Sequence, residues 1–156
     1  MAKSLIFWWI WPNIDAGGDQ IAKAIRSFRE NNSAEWLQMI KNVAPATYQK
    51  LLKRATCAIG NSSSFVRDST FSGTPVVLLG DRQAGREYGN NLIECAIDIE
   101  AISLAIQRQV ADGRKPAENL YGDGTASRKI VSIIKEFRPY AQKRLNYPFV
   151  DDDSDN

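Results

Sequence analysis

Histidine is absent from this chain of 156 residues. Because histidine is the commonest acid or base near neutral pH and a frequent metal ligand, any proton transfer within the chain relies on Asp, Glu, Lys or Tyr. We expect no metal site, and we also expect no cofactor. Both cysteines, Cys57 and Cys95, stand at strand-like positions in apolar surroundings, where a free thiol behaves as a small hydrophobe. We interpret them as reduced and structural, in a cytoplasmic protein.

The chain also lacks a dominant charge and a long apolar run. Its 20 basic and 18 acidic residues are interspersed and give a net charge of +2. No basic stripe is available for a nucleic-acid backbone, so we expect no nucleic-acid partner. The apolar run over residues 5–11 is too short to span a bilayer and leads into Pro12 rather than a small-residue cleavage site. We interpret this run as a buried strand and expect no membrane association.

Short apolar runs instead alternate with helical patterns along the chain. Runs of strand length occur at residues 5–11, 36–43, 57–60, 75–79 and 92–96. Helical spacing is carried by Ile21, Ile25 and Phe28, by Tyr48, Leu51, Leu52 and Ala55, by Ile99, Ile102 and Ile106, and by Ala126, Ile130, Ile133, Ile134 and Phe137. The alternation predicts an α/β fold with a parallel sheet. We expect one domain over residues 1–150 and a disordered acidic tail over residues 151–156.

A serine-rich turn follows the third predicted strand. Asn61 and the serines at 62–64 open a predicted helix, where unpaired N–H groups, hydroxyls and a partial positive charge suit a phosphate. Ordinary helix capping would explain one of the hydroxyls, and no Walker lysine or G-x-G-x-x-G is present. Asp68, about one turn later, either meets ribose hydroxyls or favours the helix dipole as a first-turn acid.

An arginine-bearing loop follows the fourth predicted strand. Arg82 and Arg86 lie between glycines, and a guanidinium fork suits pyrophosphate oxygens. Ligands of open α/β sheets bind outside the carboxyl ends of the strands, although many exposed arginines are simply solvated. Glu87 is a candidate ion-pair partner of Arg86. Residues 121–124 form a further predicted turn, in which Asp123 is either a helix cap or a ligand contact.

The ordered motifs together resemble the C-terminal half of UDP-N-acetylglucosamine 2-epimerases, and most of all the hydrolysing branch of sialic acid biosynthesis. They are PNIDAG at residues 12–17, IGNSSS at 59–64, GTP at 73–75, GDRQAGRE at 80–87 and YGDGTAS at 121–127. The resemblance extends over residues 5 to about 137. It implies one Rossmann-like, three-layer half of a glycosyltransferase-B type fold, beginning at that domain's second strand and so lacking the first.

The resemblance also implies site roles and a reaction. Ser62 and Ser63 would hold the UDP phosphates, Arg82 would pair with the pyrophosphate, Asp68 would meet the ribose, and the backbone of Val43 would meet uracil. In that family UDP is eliminated from the nucleotide sugar, and N-acetylmannosamine or its UDP derivative forms, which makes the enzyme an isomerase or hydrolase. The family's acids and bases lie in an N-terminal catalytic domain. We therefore expect no catalytic residue here, no turnover by this chain alone, and a homo-oligomer formed through an uncovered strand edge.

Two positions depart from the family pattern. Phe65 stands where glycine is usual, and Asp68 stands where glutamate is usual, so we expect weaker UDP binding than is typical. Two other functions remain open at this point. One is half of a glycosyltransferase with the same two-domain architecture, and the other is a non-catalytic nucleotide-binding or assembly module.

Overall fold

The computed structural model describes residues 6–12 and 17–139. Its contacts divide the chain into two units, Met1–Leu120 and Tyr121–Asn156, which we describe separately. The expected acidic tail at residues 151–156 and residues 13–16 of the first motif lie outside the described residues.

Five strands of the first unit form at the five places that the sequence predicts. Strand β1 (Phe7–Ile10) pairs in parallel with β2 (Leu37–Ile40). Strands β3 (Ala58–Gly60), β4 (Val76–Leu79) and β5 (Leu92–Cys95) form a second parallel sheet in that order. The predicted α/β class with parallel sheets and flanking helices, a Rossmann-like arrangement, is confirmed.

Helices α1 (Gly18–Asn31), α2 (Pro45–Arg54) and α3 (Ser63–Arg67) join the first four strands in turn, and a turn of 3-10 helix at Thr70–Ser72 follows α3. A loop without a helix joins β4 to β5, and α4 (Ile99–Asp112) follows β5. Local signals set the ends of the helices. Pro45 occupies the first position of α2, where its missing N–H costs nothing. Asp98 caps α4 by accepting a hydrogen bond from the Ala101 N–H at 2.9 Å.

The hydrophobic core lies around β4. Val76 and Val77 of this strand have no exposed surface, although consecutive side chains point to opposite faces of the sheet. Both faces are therefore covered, as is typical of a parallel sheet. The buried cluster on one face consists of Leu52, Ala58, Val66, Val76, Leu78 and Leu92, with Tyr48 and Phe65 packed against it.

Strand β1 is buried less than the sequence suggests. Phe7 and Trp9 are half-buried, and their rings contact each other at 5.8 Å between centroids. Ile6, Trp8 and Ile10, on the other face, are exposed, with Trp8 at 54%. The strand itself is confirmed, but the prediction that it is buried is wrong for one face. An apolar run reports the tendency to be buried, while the burial achieved depends on what packs against the strand.

Two buried amides join the amino ends of β4 and β5. The Gln109 side chain in α4 donates hydrogen bonds to the Val76 carbonyl at 2.6 Å and the Asn91 carbonyl at 3.0 Å. The Asn91 amide donates to the Ser69 hydroxyl and to the Thr74 carbonyl, both at 2.7 Å. Backbone carbonyls that the core removes from water thereby keep partners.

The GTP motif has a structural role at the same edge. Gly73 has a φ of 60°, and a Cβ added there would lie 1.8 Å from the Lys115 carbonyl oxygen, so only glycine fits. The buried Thr74 hydroxyl donates to the Leu52 carbonyl at 2.9 Å. These contacts account for the motif without a ligand.

The Arg114 guanidinium forms hydrogen bonds at the same edge of the sheet. One guanidinium nitrogen donates to the Ser72 carbonyl at 2.7 Å and to the Thr74 hydroxyl at 2.8 Å. The other donates to the carbonyls of Lys53 and Ala55, at 2.6 and 3.1 Å. The end of α2 is thus tied to the segment that leads into β4.

The second unit contains α5 (Ala126–Glu136), confirming the helix predicted there. Its apolar side chains recur every three or four residues, and Ile130, Ile133, Ile134 and Phe137 are all exposed. None of the helices in the described part of the chain is long and apolar enough to cross a membrane.

Cys57 and Cys95 are both free and half-buried. Burial raises the pKa of the Cys57 thiol from 9.0 to about 11, against a smaller opposing effect of a hydrogen bond with the Val77 backbone. The folded environment thus favours the neutral thiol.

We expect Cys57 to resist alkylation in the folded protein. A rise of about two pKa units lowers the thiolate fraction near pH 8 by about a hundredfold. Iodoacetamide labelling at pH 8, followed by peptide mass spectrometry, should therefore be at least about a hundredfold slower at Cys57 in native protein than in urea. Equal rates in the two states would contradict the expected pKa.

Candidate functional site

The two anion-suited loops lie at the carboxyl ends of β3 and β4. These strands are parallel neighbours, with Gly60 opposite Leu78, so the loops that follow them share one edge of the sheet. The buried amides and Arg114 occupy the opposite edge, because they bond to residues that precede β4 and β5. The sheet therefore separates a structural edge from a loop-bearing edge.

The three serines of the first loop have different surroundings. The Ser62 hydroxyl accepts from the Ser64 N–H at 3.3 Å and caps α3, as predicted for one serine. The Ser64 hydroxyl is hydrogen-bonded to the Tyr48 hydroxyl and lies 2.9 Å from the Ser62 oxygen. The Ser63 hydroxyl accepts a hydrogen bond of 3.3 Å from the Arg67 guanidinium. All three hydroxyls thus have partners within the protein, and the roles of Ser62 and Ser63 as ligand contacts stay predictions.

Asp68 does not lie within the helix, and the first-turn interpretation of it is wrong. Helix α3 ends at Arg67, and Asp68 follows as the C-terminal cap, with its N–H donating to the Ser64 carbonyl at 2.7 Å. Its carboxylate accepts from the Gln49 amide of α2 at 3.2 Å. A negative charge at this end does not favour the helix dipole. Asp68 is half-buried beside α2, and its ribose role stays a prediction.

Tyr48 and Gln49 are neighbours of the site that the sequence did not reveal. Tyr48 was predicted as part of the apolar face of α2, and its ring does pack on the core, but its hydroxyl reaches Ser64. Burial raises the pKa of Tyr48; the Ser64 hydrogen bond opposes this, and the negative charge of Asp68 adds to it. The phenol therefore stays protonated. Val43, the expected uracil contact, is half-buried two residues ahead of α2.

The arginine loop is organised by two turns of its own. The Ala84 N–H donates to the Asp81 carbonyl at 2.8 Å, and the Arg86 N–H donates to the Gln83 carbonyl at 3.2 Å. Arg82 and Arg86 are exposed on this loop. Both arginines thus belong to the loop that follows β4, and their pairing with a pyrophosphate stays a prediction.

Gln83 joins the two loops. It is only 5% exposed, and its side-chain nitrogen donates to the Asn61 carbonyl at 2.9 Å. Asn61 immediately precedes Ser62, so this bond places the loop that carries Arg82 directly against the serine turn. No sequence signal identified Gln83, because a glutamine between two arginines in a polar loop is typical of exposed residues.

Phe65 faces the interior. Its ring packs against the buried cluster, and the Cε2 atom lies 3.1 Å from the position of a Cβ added to Gly60. The side chain therefore contributes to packing between α3 and the end of β3. The expectation that Phe65 and Asp68 weaken UDP binding stays a prediction.

Asp123 forms a local turn in the second unit. Its carboxylate accepts hydrogen bonds from the Thr125 hydroxyl and, at 3.0 Å, from the Thr125 N–H. These two bonds, the hydroxyl first, hold the pKa of Asp123 below its usual range. These contacts form an Asx turn ahead of α5, and because the N-cap position is Thr125, the interpretation of Asp123 as the helix cap is wrong. Among residues 6–12 and 17–139, no group of three or more His, Cys, Asp or Glu could hold a metal ion.

A Rossmann-like α/β fold with a serine turn and an arginine loop at one edge of its sheet is a scaffold suited to binding phosphate groups. The sequence profile of the family described as UDP-N-acetylglucosamine 2-epimerase matches residues 2–135. The chain belongs to this family, as the motifs predict.

Three relatives illustrate the similarity. The chain is 26% identical over 131 residues to a Legionella pneumophila UDP-N,N'-diacetylbacillosamine 2-epimerase (hydrolyzing), covering 84% of this chain and 34% of the relative. It is 26% identical over 142 residues to a Neisseria meningitidis UDP-N-acetylglucosamine 2-epimerase, covering 87% and 37%. It is 36% identical over 95 residues to a Campylobacter jejuni GDP/UDP-N,N'-diacetylbacillosamine 2-epimerase (hydrolyzing), covering 61% and 24%. The chain thus matches between about a quarter and slightly more than a third of the length of these relatives.

We expect Phe65→Ala to destabilise the fold. Removing the half-buried ring leaves a cavity beside Gly60, so the free energy of unfolding in urea should fall by about 2–3 kcal/mol. Phe65→Leu keeps most of the volume and should cost less than about 1.5 kcal/mol. Equal, negligible losses for the two variants would show that the ring does not pack as described.

Proposed function

We propose that this chain is the UDP-binding, C-terminal portion of a UDP-N-acetylglucosamine 2-epimerase of the nucleotide-sugar pathways that lead to sialic acid. The observation that carries the proposal is the Gln83–Asn61 hydrogen bond of 2.9 Å, which joins a serine turn to an arginine loop in a member of the epimerase family. The full enzyme is an isomerase or hydrolase. It eliminates UDP from the nucleotide sugar and yields N-acetylmannosamine or its UDP derivative.

Hydroxyl and guanidinium donors supply most of the proposed phosphate binding. Helix α3 has only five residues, so its dipole contributes little beside the direct donors. Ser62 and Ser63 present small side chains that allow a phosphate to approach the backbone. Arg82 presents a planar fork that matches two phosphate oxygens at once. Arg86, on the same loop, adds a second positive charge.

Nucleoside recognition falls to Val43, which precedes α2, and to Asp68, which follows α3. The Asp68 carboxylate has two oxygens, and the Gln49 amide donates to one of them. The other oxygen can accept hydrogen bonds from the ribose hydroxyls. The Val43 backbone, just ahead of α2, would meet uracil. Hydrogen bonds hold Asp68 and Ser64 to α2. These bonds fix the proposed nucleoside contacts relative to the phosphate-binding loops.

The chemical role proposed for this portion is to stabilise the leaving group. Negative charge builds on the pyrophosphate as its bond to the sugar breaks, and the proposed role of Arg82 is to interact with that charge more strongly in the transition state than in the ground state. Proton transfers would come from an N-terminal catalytic domain of the complete enzyme. We therefore propose that the chain alone binds UDP without turnover, that it assembles as a homo-oligomer, and that it resides in the cytoplasm.

Calorimetric titration with UDP tests the proposal. We expect micromolar binding by the 156-residue chain and a loss of about ten- to hundredfold in Arg82→Ala, because a hydrogen bond to a charged group is worth about 1.5–3 kcal/mol. Arg29→Ala is the matched control, since Arg29 is an exposed arginine in the last turn of α1 and belongs to neither loop. UMP should bind more weakly than UDP because it lacks the second phosphate.

Two outcomes would contradict the proposed function. One is the absence of UDP binding at millimolar concentration, and the other is binding that Arg82→Ala leaves unchanged. Release of UDP from UDP-N-acetylglucosamine by the chain alone would contradict the proposed dependence on further catalytic residues.

A further inference from the structure

Gln83 is the one buried residue of the GDRQAGRE motif at residues 80–87. Its neighbours Arg82 and Arg86 are exposed, whereas Gln83 is 95% buried, given its exposure of 5%. The side-chain nitrogen must be the atom that faces the Asn61 carbonyl, because a carbonyl oxygen accepts and the amide nitrogen donates. The bond spans 22 residues of sequence and connects two separate loops.

The burial of this amide is not explained by packing alone. Within the described part of the chain, the Gln83 side-chain oxygen is buried and accepts no hydrogen bond. An apolar side chain of similar volume would avoid an unpaired buried acceptor. The polar group is therefore placed where it adds little to stability, and its remaining effect is to hold the Asn61 carbonyl.

A second buried glutamine provides a direct comparison. Gln109 also donates through its side-chain nitrogen, but to two carbonyls at the amino edge of the sheet, and its oxygen is not among the unpaired buried atoms. Gln109 joins two strands, and Gln83 joins two loops. Gln109 thus has a role in the core, and Gln83 has a role at the loop-bearing edge.

We propose that Gln83 is a positioning residue for the phosphate site, holding the loop of Arg82 in contact with the serine turn so that hydroxyls and guanidinium converge on one pyrophosphate. This inference rests on the proposed function for its ligand. Gln83 itself needs no contact with the nucleotide, because it acts through Asn61 on one side and Arg82 on the other.

Amide hydrogen exchange in the absence of nucleotide tests the positioning directly. In Gln83→Met the donor is lost while the volume is kept, so the Ser64, Phe65, Ala84 and Arg86 amides, which are hydrogen-bonded within the two loops, should exchange at least about threefold faster than in the unsubstituted chain. In Gln109→Met these amides should keep their rates relative to global unfolding. Unchanged exchange in Gln83→Met would overturn the proposal.

UDP titration of the same variants provides the functional readout. We expect Gln83→Met to bind UDP about tenfold more weakly while its midpoint of thermal unfolding stays close to that of the unsubstituted chain. Gln109→Met should lower the midpoint and leave UDP affinity within about twofold. If Gln83→Met instead lowers the midpoint as much as Gln109→Met and binds UDP normally, the residue is structural and the proposal fails.

Gln83→Glu adds a pH-dependent test that preserves shape. At a pH below its pKa the introduced carboxyl is protonated and can donate to the Asn61 carbonyl. At a pH above its pKa the carboxylate repels the carbonyl oxygen. Burial raises the pKa of the introduced carboxyl toward the pH range of the titration. UDP affinity relative to the unsubstituted chain should therefore recover between pH 8 and pH 5. A ratio independent of pH would contradict the donor role. If the unsubstituted chain does not bind UDP, the proposed function fails, and hydrogen exchange still decides whether Gln83 holds the loops.

Discussion

The larger sheet depends on the hydrogen bonds that two buried side-chain amides, those of Asn91 and Gln109, donate to backbone carbonyls. Its strands are only three or four residues long, and Val76, Asn91 and Leu92 at the amino ends of β4 and β5 are buried. Carbonyls at the amino ends would be buried without partners if these amides were apolar. Arg114 completes the arrangement by binding carbonyls at the end of α2. Short strands can therefore belong to a stable sheet.

Fixing one edge leaves the opposite edge available for function. The carboxyl ends of β3 and β4 lead into segments that are more exposed and that are held by backbone turns and by side-chain hydrogen bonds to other segments. Tyr48 holds Ser64, and Gln83 holds the Asn61 carbonyl, so the serine turn is held from two sides. This division explains why the GTP motif, which lies at the amino edge, has structural rather than ligand-binding contacts.

Much of the fold could be predicted because strands and helices leave periodic signals. All five strands form where expected, and so do the helices predicted from apolar residues at helical spacing. Pro45 is the first residue of α2. The position of Asp68 could not be predicted, because nothing local sets the five-residue length of α3. Gln83 and Tyr48 were missed for a different reason. Their hydrogen bonds cross 22 and 16 residues of sequence, and their burial is decided by the tertiary structure rather than by residue type.

The aromatic cluster of β1 and its surroundings gives the molecule an uneven optical signature. All four tryptophans occur within the first 36 residues, and Trp36 contacts the rings of Phe7 and Phe28 edge-on beside β1. The sheet formed by β3, β4 and β5 contains none. Intrinsic tryptophan fluorescence therefore follows the β1–β2 region, while the sheet that carries the serine and arginine loops is silent at those wavelengths. Two halves of one unit can thus be observed independently, the second through its tyrosines or an added probe.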